Sequence, residues 1–145
     1  MSRFLPDTNV MIAMIRPWQD LHAAANAEWQ RRIGADEQPV MAVHCWSEAY
    51  SVLTRLPPAH RSPPTETWDA LELVWKRFPT VALDAGEWLA TLASCARDGI
   101  GGGRIYDELI AACARKAKAD TLLTFNPRHF ERHADWFAIC VPGRA

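Results

Sequence analysis

The chain has 145 residues, 49% of them hydrophobic and 23% charged, which excludes a disordered polymer and suits one domain over residues 1–145. No apolar run is long enough to cross a bilayer and no secretory leader is recognisable, so a cytoplasmic protein with no membrane contact is expected. The formal net charge of −1 excludes a global basic field, so any polyanionic partner must be held by a local patch and by bound cations.

In chain order, Phe4-Leu5-Pro6 reads as a short buried strand that ends abruptly on Asp7-Thr8-Asn9. A helix follows from about Val10 to Ile15 and stops before Pro17. A second helix is predicted from about Asp20 to Ile33, with Leu21, Ala24, Ala25, Trp29 and Ile33 on one stripe and Gly34 as its stop. Pro39 to Val43 is a second strand. The third helix follows at once, with Ser47 as a capping candidate, Glu48 in its first turn, and Ala49, Val52, Leu53 and Leu56 on its apolar face. The proline-rich stretch from Pro57 to Pro64 fits neither helix nor central strand and reads as an exposed loop.

Thr65 opens a fourth helix carrying Trp68, Leu71, Val74, Trp75 and Phe78 at helical spacing. Thr80 to Leu83 is a third strand. Asp84 caps a fifth helix in which Trp88, Leu89, Leu92 and Ala93 are expected to face inward. Gly99 to Gly103 forms a flexible loop. The sixth helix runs from about Arg104 to Lys118, bearing Ile105, Leu109, Ala112, Cys113 and Lys116. Thr121 to Thr124 and Ala138 to Val141 are the last two strands. Strands alternating with helices imply right-handed crossovers and a parallel sheet. The expected fold is a three-layer α/β/α domain with a central parallel sheet of about five strands.

In such sheets, ligands sit beyond the carboxyl ends of the strands. Asp7, Glu48, Asp107 and Asn126 all fall where a strand gives way to a helix or loop, so they share one edge. Clustered carboxylates are costly unless a cation or retained protons neutralise them. Hard oxygen donors of this kind suit Mg²⁺, with Mn²⁺ as a substitute. Each residue also has a simpler reading. Asp7 can cap the first helix, Glu48 and Asp107 suit helix N-termini, and Asn126-Pro127 is a common turn. The case for a site rests on their convergence.

Taken together, Asp7-Thr8-Asn9, Ser47-Glu48, Leu53-Thr54-Arg55-Leu56, Gly103-Arg104-Ile105-Tyr106-Asp107 and Leu123-Thr124-Phe125-Asn126-Pro127-Arg128-His129-Phe130 resemble a PIN-domain ribonuclease. More narrowly, they resemble the VapC-type toxins of toxin–antitoxin pairs, in order and spacing over essentially the whole chain. The resemblance implies a PIN-like domain and a metal-dependent endoribonuclease acting on RNA. It implies that Asp7, Glu48 and Asp107 hold the metal. Asn126 stands where many members carry a fourth acid, and adds a carbonyl but no charge. Thr8, Asn9 and Thr124 become residues that orient carboxylates, waters or backbone. Arg104 is a candidate phosphate contact or a solvated arginine at a helix start. The resemblance also implies a cognate antitoxin partner and a homodimer.

Two rival functions share the same residues. An Asp-nucleophile phosphatase also places its nucleophile at a strand tip, but needs a second acid where Asn9 stands. A non-catalytic binding module would give the acids only structural roles. Other features are read as ancillary. Cys45, Cys95, Cys113 and Cys140 form no CxxC pair and are expected to be reduced. His129 and His133 are expected at the surface, since a metal site would need further ligands nearby. Glu108 should point away from its neighbour Asp107. His60-Arg61 and Arg55 are either solvated or in touch with RNA. The glycine run lacks the ending of a phosphate-binding loop. Trp68, Trp75 and Trp88 belong either to the core or to a dimer surface.

Overall fold

The computed structural model describes residues 1–144. The main sheet is four-stranded and parallel, with β1 (Arg3–Pro6), β2 (Gln38–Pro39), β5 (Thr121–Leu123) and β6 (Ala138–Cys140) in the order β2-β1-β5-β6. A separate parallel ladder pairs β3 (Met41–Ala42) with β4 (Thr80–Val81). Six helices flank these strands: α1 (Thr8–Ile15), α2 (His22–Gly34), α3 (Val43–Thr54), α4 (Pro64–Trp75), α5 (Ala85–Arg97) and α6 (Arg104–Lys116). Two single-turn 3-10 helices, Pro127–His129 and Glu131–His133, connect β5 to β6.

The single strand expected from Pro39 to Val43 is divided between the two sheets. Pro39 pairs with Phe4, after which Val40 donates to the Phe4 carbonyl at 2.9 Å. Met41 then turns its N–H to Pro79, at 2.8 Å. The N–H groups of Gln38 and Val40 face β1 whereas that of Met41 faces the opposite side, so the chain changes partner after Val40. The expected sheet of about five strands is therefore four strands with a two-stranded extension.

Register places the functional edge. Pro6 pairs with Leu123 across β1 and β5, so the next residues on each strand, Asp7 and Thr124, leave the sheet side by side. The core beneath them joins Phe4, Leu5, Met11, Met41, Leu71, Ile110, Leu122 and Phe130, all fully buried. Helix α6 is lined by Ala111, Ala112 and Ala114, small residues that let it approach its neighbours closely. Gly99 and Gly102, with φ of 69° and 61°, supply the left-handed backbone of the loop before it.

Several side chains depart from the stripes that periodicity suggests. Leu89 and Ala93 are exposed, and only Cys95 of α5 is buried. Helix α5 packs on α6 and leaves its far side in solvent. Lys116 is likewise exposed and pairs with Glu87 while bonding the Ala82 carbonyl. Asp84 does cap α5, in a reciprocal box with Glu87. Trp75 belongs to the core, Trp88 is half-buried and Trp68 is exposed. The cysteines are free thiols, three of them buried. Among the described residues no helix is long and apolar enough to cross a membrane.

Trp75 is fully buried, packs edge-on against Trp29, and leaves its Nε1 without a hydrogen-bond partner. Trp75→Ala should cost about 3–5 kcal/mol in urea unfolding. Trp75→Phe should cost much less, because it also removes the unpaired donor. Equal losses in the two variants would contradict this packing.

Candidate functional site

Asp7 is the residue that ends β1 and begins α1. Its backbone is extended, with φ −67° and ψ 158°, and its N–H donates to Leu123 at 2.8 Å, so the strand pairing continues one residue beyond the sheet. Its side chain is nearly fully buried. The Thr8 N–H donates to Oδ1 at 2.7 Å and the Thr124 hydroxyl donates to Oδ2 at 2.7 Å. Asp7 thus caps α1 and also fronts the crevice. The two readings open from sequence are compatible.

Thr124 is the joint of this edge. Its hydroxyl oxygen accepts the Asn126 N–H at 2.9 Å while donating to Asp7. The Asn9 amide approaches the same oxygen at 3.5 Å and accepts the Phe125 N–H at 3.2 Å. Asn9 and Thr124 therefore tie the chain after β5 to the start of α1, with Asp7 between them. Asn126 joins this network through its backbone N–H, and the residue itself is exposed.

Glu48 comes from α3. The helix begins at Val43, directly after β3, and its N-cap is Ala42 with no side-chain cap. Ser47 is therefore no cap, and Glu48 lies in the second turn rather than the first. The run Val43-His44-Cys45-Trp46 continues the apolar pattern of the strand, which hides the helix start in the sequence. Glu48 is half-buried and its Oε2 lies 3.1 Å from His44 Nε2. That contact holds its carboxyl below the usual range.

Asp107 stands in the first turn of α6, with its Oδ2 2.9 Å from His129 Nδ1. Burial raises its pKa, offset in part by His129 and raised again by Glu48. The charge of Arg104, exposed at the helix start, reaches the same carboxyl. For Asp7, burial is the largest effect, and the charges of Asp107 and Glu48 add to it. Together they raise its pKa to about 7, against hydrogen bonds from Thr124 and Thr8 that lower it. The three acids, distant in sequence, act on one another across a single crevice.

The roles of three histidines were not legible from spacing. His44 pairs with Glu48 and stacks on Tyr106, and nothing in a lone histidine before Ser47-Glu48 signals it. His129 is half-exposed but engaged with Asp107, and His133 is buried rather than at the surface. His133 lies 2.8 Å from the buried Glu108, and Arg115 approaches its other ring nitrogen at 2.8 Å. The two histidines fall on separate 3-10 turns, so helical spacing misplaces them. Glu108 does point away from the crevice, as adjacency on a helix requires.

The donor set suits a hard cation that keeps much of its water. Among the described residues no three His, Cys, Asp or Glu side chains form a ready-made cage. Glu48 and Asp107 are each engaged with a histidine. Mg²⁺ needs only one or two carboxylates, with water filling the rest of its octahedron. The buried Thr8 hydroxyl is a further oxygen beside Asp7, near Glu48. The residues fit Mg²⁺ or Mn²⁺ and do not fit a closed zinc site.

Comparison with known proteins gives a consistent result. The family model described as PIN domain matches residues 4–135. Ribonuclease VapC40 of Mycobacterium tuberculosis is 33% identical over 129 residues, 88% of this chain and 90% of the relative. VapBC2 from Rickettsia felis, solved bound to a DNA fragment from its promoter, superposes with a TM-score of 0.69 at 15% identity, covering 96% of this chain and 98% of that one. A toxin–antitoxin complex from Klebsiella pneumoniae superposes with a TM-score of 0.62 at 18% identity, covering 100% of both chains. The last two similarities concern the fold alone.

The raised pKa of Asp7 fixes a sign for stability. Its folded pKa lies above its unfolded one, so the metal-free protein binds more protons than the unfolded chain between about pH 4 and 7. Its stability should fall as pH rises through that window. Asp7→Asn keeps an acceptor for Thr8 and removes the charge. In metal-free buffer the variant should be more stable than the parent by about 2–4 kcal/mol at pH 8, with the gap closing towards pH 4. Guanidinium unfolding at the two pH values checks this. A variant less stable at pH 8 would assign Asp7 a purely structural role.

Proposed function

The chain belongs to the PIN-domain family, and from that premise we propose that it is a VapC-type toxin whose acidic crevice hydrolyses phosphodiester bonds in RNA with Mg²⁺. The observation that carries the reading is the buried Asp7 carboxyl, held by the Thr8 N–H and the Thr124 hydroxyl at the ends of β1 and β5, with Glu48 and Asp107 near enough for their charges to bear on it. A buried carboxyl with a pKa of about 7 beside two other acids is a site short of positive charge. Asp7 and Asp107 would hold the cation, with Glu48 completing the acidic site directly or through water. A bound divalent ion supplies a Lewis acid for the phosphoryl group and lowers the pKa of water.

The chain's own side chains do the rest. Asp7 must give up its proton to hold the cation, and the Thr8 N–H and Thr124 hydroxyl steady the carboxylate once it has. Glu48, ionised beside His44, accepts a hydrogen bond from the attacking water and orients it. Arg104, near Asp107 and open to solvent, meets the phosphate backbone of the substrate. Asn126, exposed and tied through its backbone to Thr124, would hold a water through its side-chain carbonyl. Asn9 fills the position where a phosphatase of the Asp-nucleophile class needs its general acid, and its carbonyl already accepts from Phe125.

The same reading includes protein partners. A cognate antitoxin is supported by likeness to the Klebsiella pneumoniae toxin–antitoxin complex. A homodimer is supported by large apolar side chains left in solvent, among them Leu73 and Leu89. The working compartment is the cytoplasm, where RNA and Mg²⁺ meet.

Purified protein should cut single-stranded RNA in Mg²⁺ and stop when a chelator is added. Asp7→Asn should lose roughly 100-fold or more of the activity while remaining folded. Undiminished, chelator-insensitive cleavage by that variant would exclude the proposed site.

A further inference from the structure

One aromatic contact beside the crevice, the stacking of His44 on Tyr106, is not used by the chemistry above. His44 and Tyr106 lie face to face, ring centroids 5.1 Å apart and ring planes 2° from parallel. They come from different helices, α3 and α6, and meet across the groove between them. The imidazole is fixed from two directions. Its Nε2 holds Glu48 at 3.1 Å and its face holds the tyrosine. The His44 side chain is 15% exposed, whereas Tyr106 is 44% exposed, so the covered half of the pair is the histidine and the open half is the phenol ring. Tyr106 immediately precedes Asp107, and exposed Arg104 lies two residues before it on the same first turn.

This arrangement has no core-packing purpose at its outer half. A large aromatic face left in water, held in one orientation, is a preorganised plane for another flat group. Single-stranded RNA presents such groups, and proteins take up its unstacked bases on aromatic faces. Stacking of this kind tolerates any base, because every base has a π face. The charged groups nearby suit the rest of a nucleotide: Asp107 follows Tyr106 in the chain, and Arg104, whose charge reaches Asp107, lies two residues before it.

Resting on the ribonuclease reading, we propose that Tyr106, backed by His44, is the platform on which the nucleobase flanking the scissile phosphate stacks. Tyr106 then contributes to substrate affinity and to the choice of unpaired over base-paired RNA. His44 is a positioning residue, acting through the tyrosine on one side and Glu48 on the other.

The test uses the full chain in Mg²⁺ and a random-sequence pool of single-stranded RNA, from which a cut site is mapped and remade as a defined oligonucleotide. Tyr106→Ala should raise KM by roughly ten-fold, with kcat little changed. Tyr106→Phe should restore the parent value, since the ring and not the hydroxyl carries the contact. Replacing the nucleotide flanking the cut by an abasic one should weaken the parent enzyme by a similar factor and leave Tyr106→Ala unaffected. Mn²⁺ affinity measured by calorimetry should be the same in all three proteins. Additive losses from the abasic site and Tyr106→Ala, or a loss in Tyr106→Phe equal to that in Tyr106→Ala, would overturn the platform while leaving the ribonuclease reading intact. Failure of the parent protein to cut any RNA in the pool would overturn both.

Discussion

The hydrogen bond from Thr124 to Asp7 is the constraint on which the site depends. It forms because β1 and β5 are central neighbours in a parallel sheet whose register runs out at Pro6 and Leu123. One residue later the strands must diverge, and the side chains that leave them face each other. A carboxyl buried at that point would ordinarily be expelled to solvent or kept protonated. Here an N–H at the start of α1 and a hydroxyl at the end of β5 hold it, and Asn9 fastens the two segments together. The protein retains a buried acid where two more acids approach. That is a stability cost, and such costs gather where chemistry is done.

The outer acids are treated differently. Glu48 and Asp107 are only half-buried, and each leans on a histidine from another turn or segment. These contacts leave the innermost carboxyl as the one whose charge is least compensated. Beneath Asp107, the buried pair of Glu108 and His133 ties α6 to the segment after β5. Asp107–His129 and Glu108–His133 therefore join the same two pieces of chain, one pair facing the crevice and the other the interior. The first pair lies at the proposed site. The second keeps the helix that carries Asp107 at a fixed distance from the end of the sheet.

Much of this was legible in the sequence because the main signals were local. Phe4-Leu5-Pro6 followed by Asp7 marks a strand tip, and Asp84 with Glu87 three residues on marks a capped helix. The acids at the strand ends marked one edge of the sheet, since alternating strands and helices leave few topologies, whereas the family was legible only as a resemblance of the ordered motifs. What stayed hidden depended on partners far away in the chain. Val43 to Trp46 is as apolar as a strand and becomes helix because β3 finds its ladder with β4 and ends. Leu89 lies on an apolar stripe that nothing covers, and periodicity cannot tell a stripe from its neighbour's absence. His129 and His133 are expected at the surface, but Pro127 and two short 3-10 turns direct them to separate acidic partners, Asp107 and Glu108. The histidines were the hardest to place, because their roles lie in pairings with Glu48, Asp107 and Glu108, none of which is encoded by spacing.

The central claim is that this crevice holds more negative charge than the protein itself balances, and that a divalent cation makes up the difference. The most direct measurement is the carbon-13 NMR titration of the Asp7 side-chain carboxyl, first without metal and then with excess Mg²⁺. The account predicts a midpoint of about 7 in the metal-free protein, displaced downward once the cation competes with the proton. A midpoint near the ordinary aspartate value of about 4, unmoved by Mg²⁺, would contradict it.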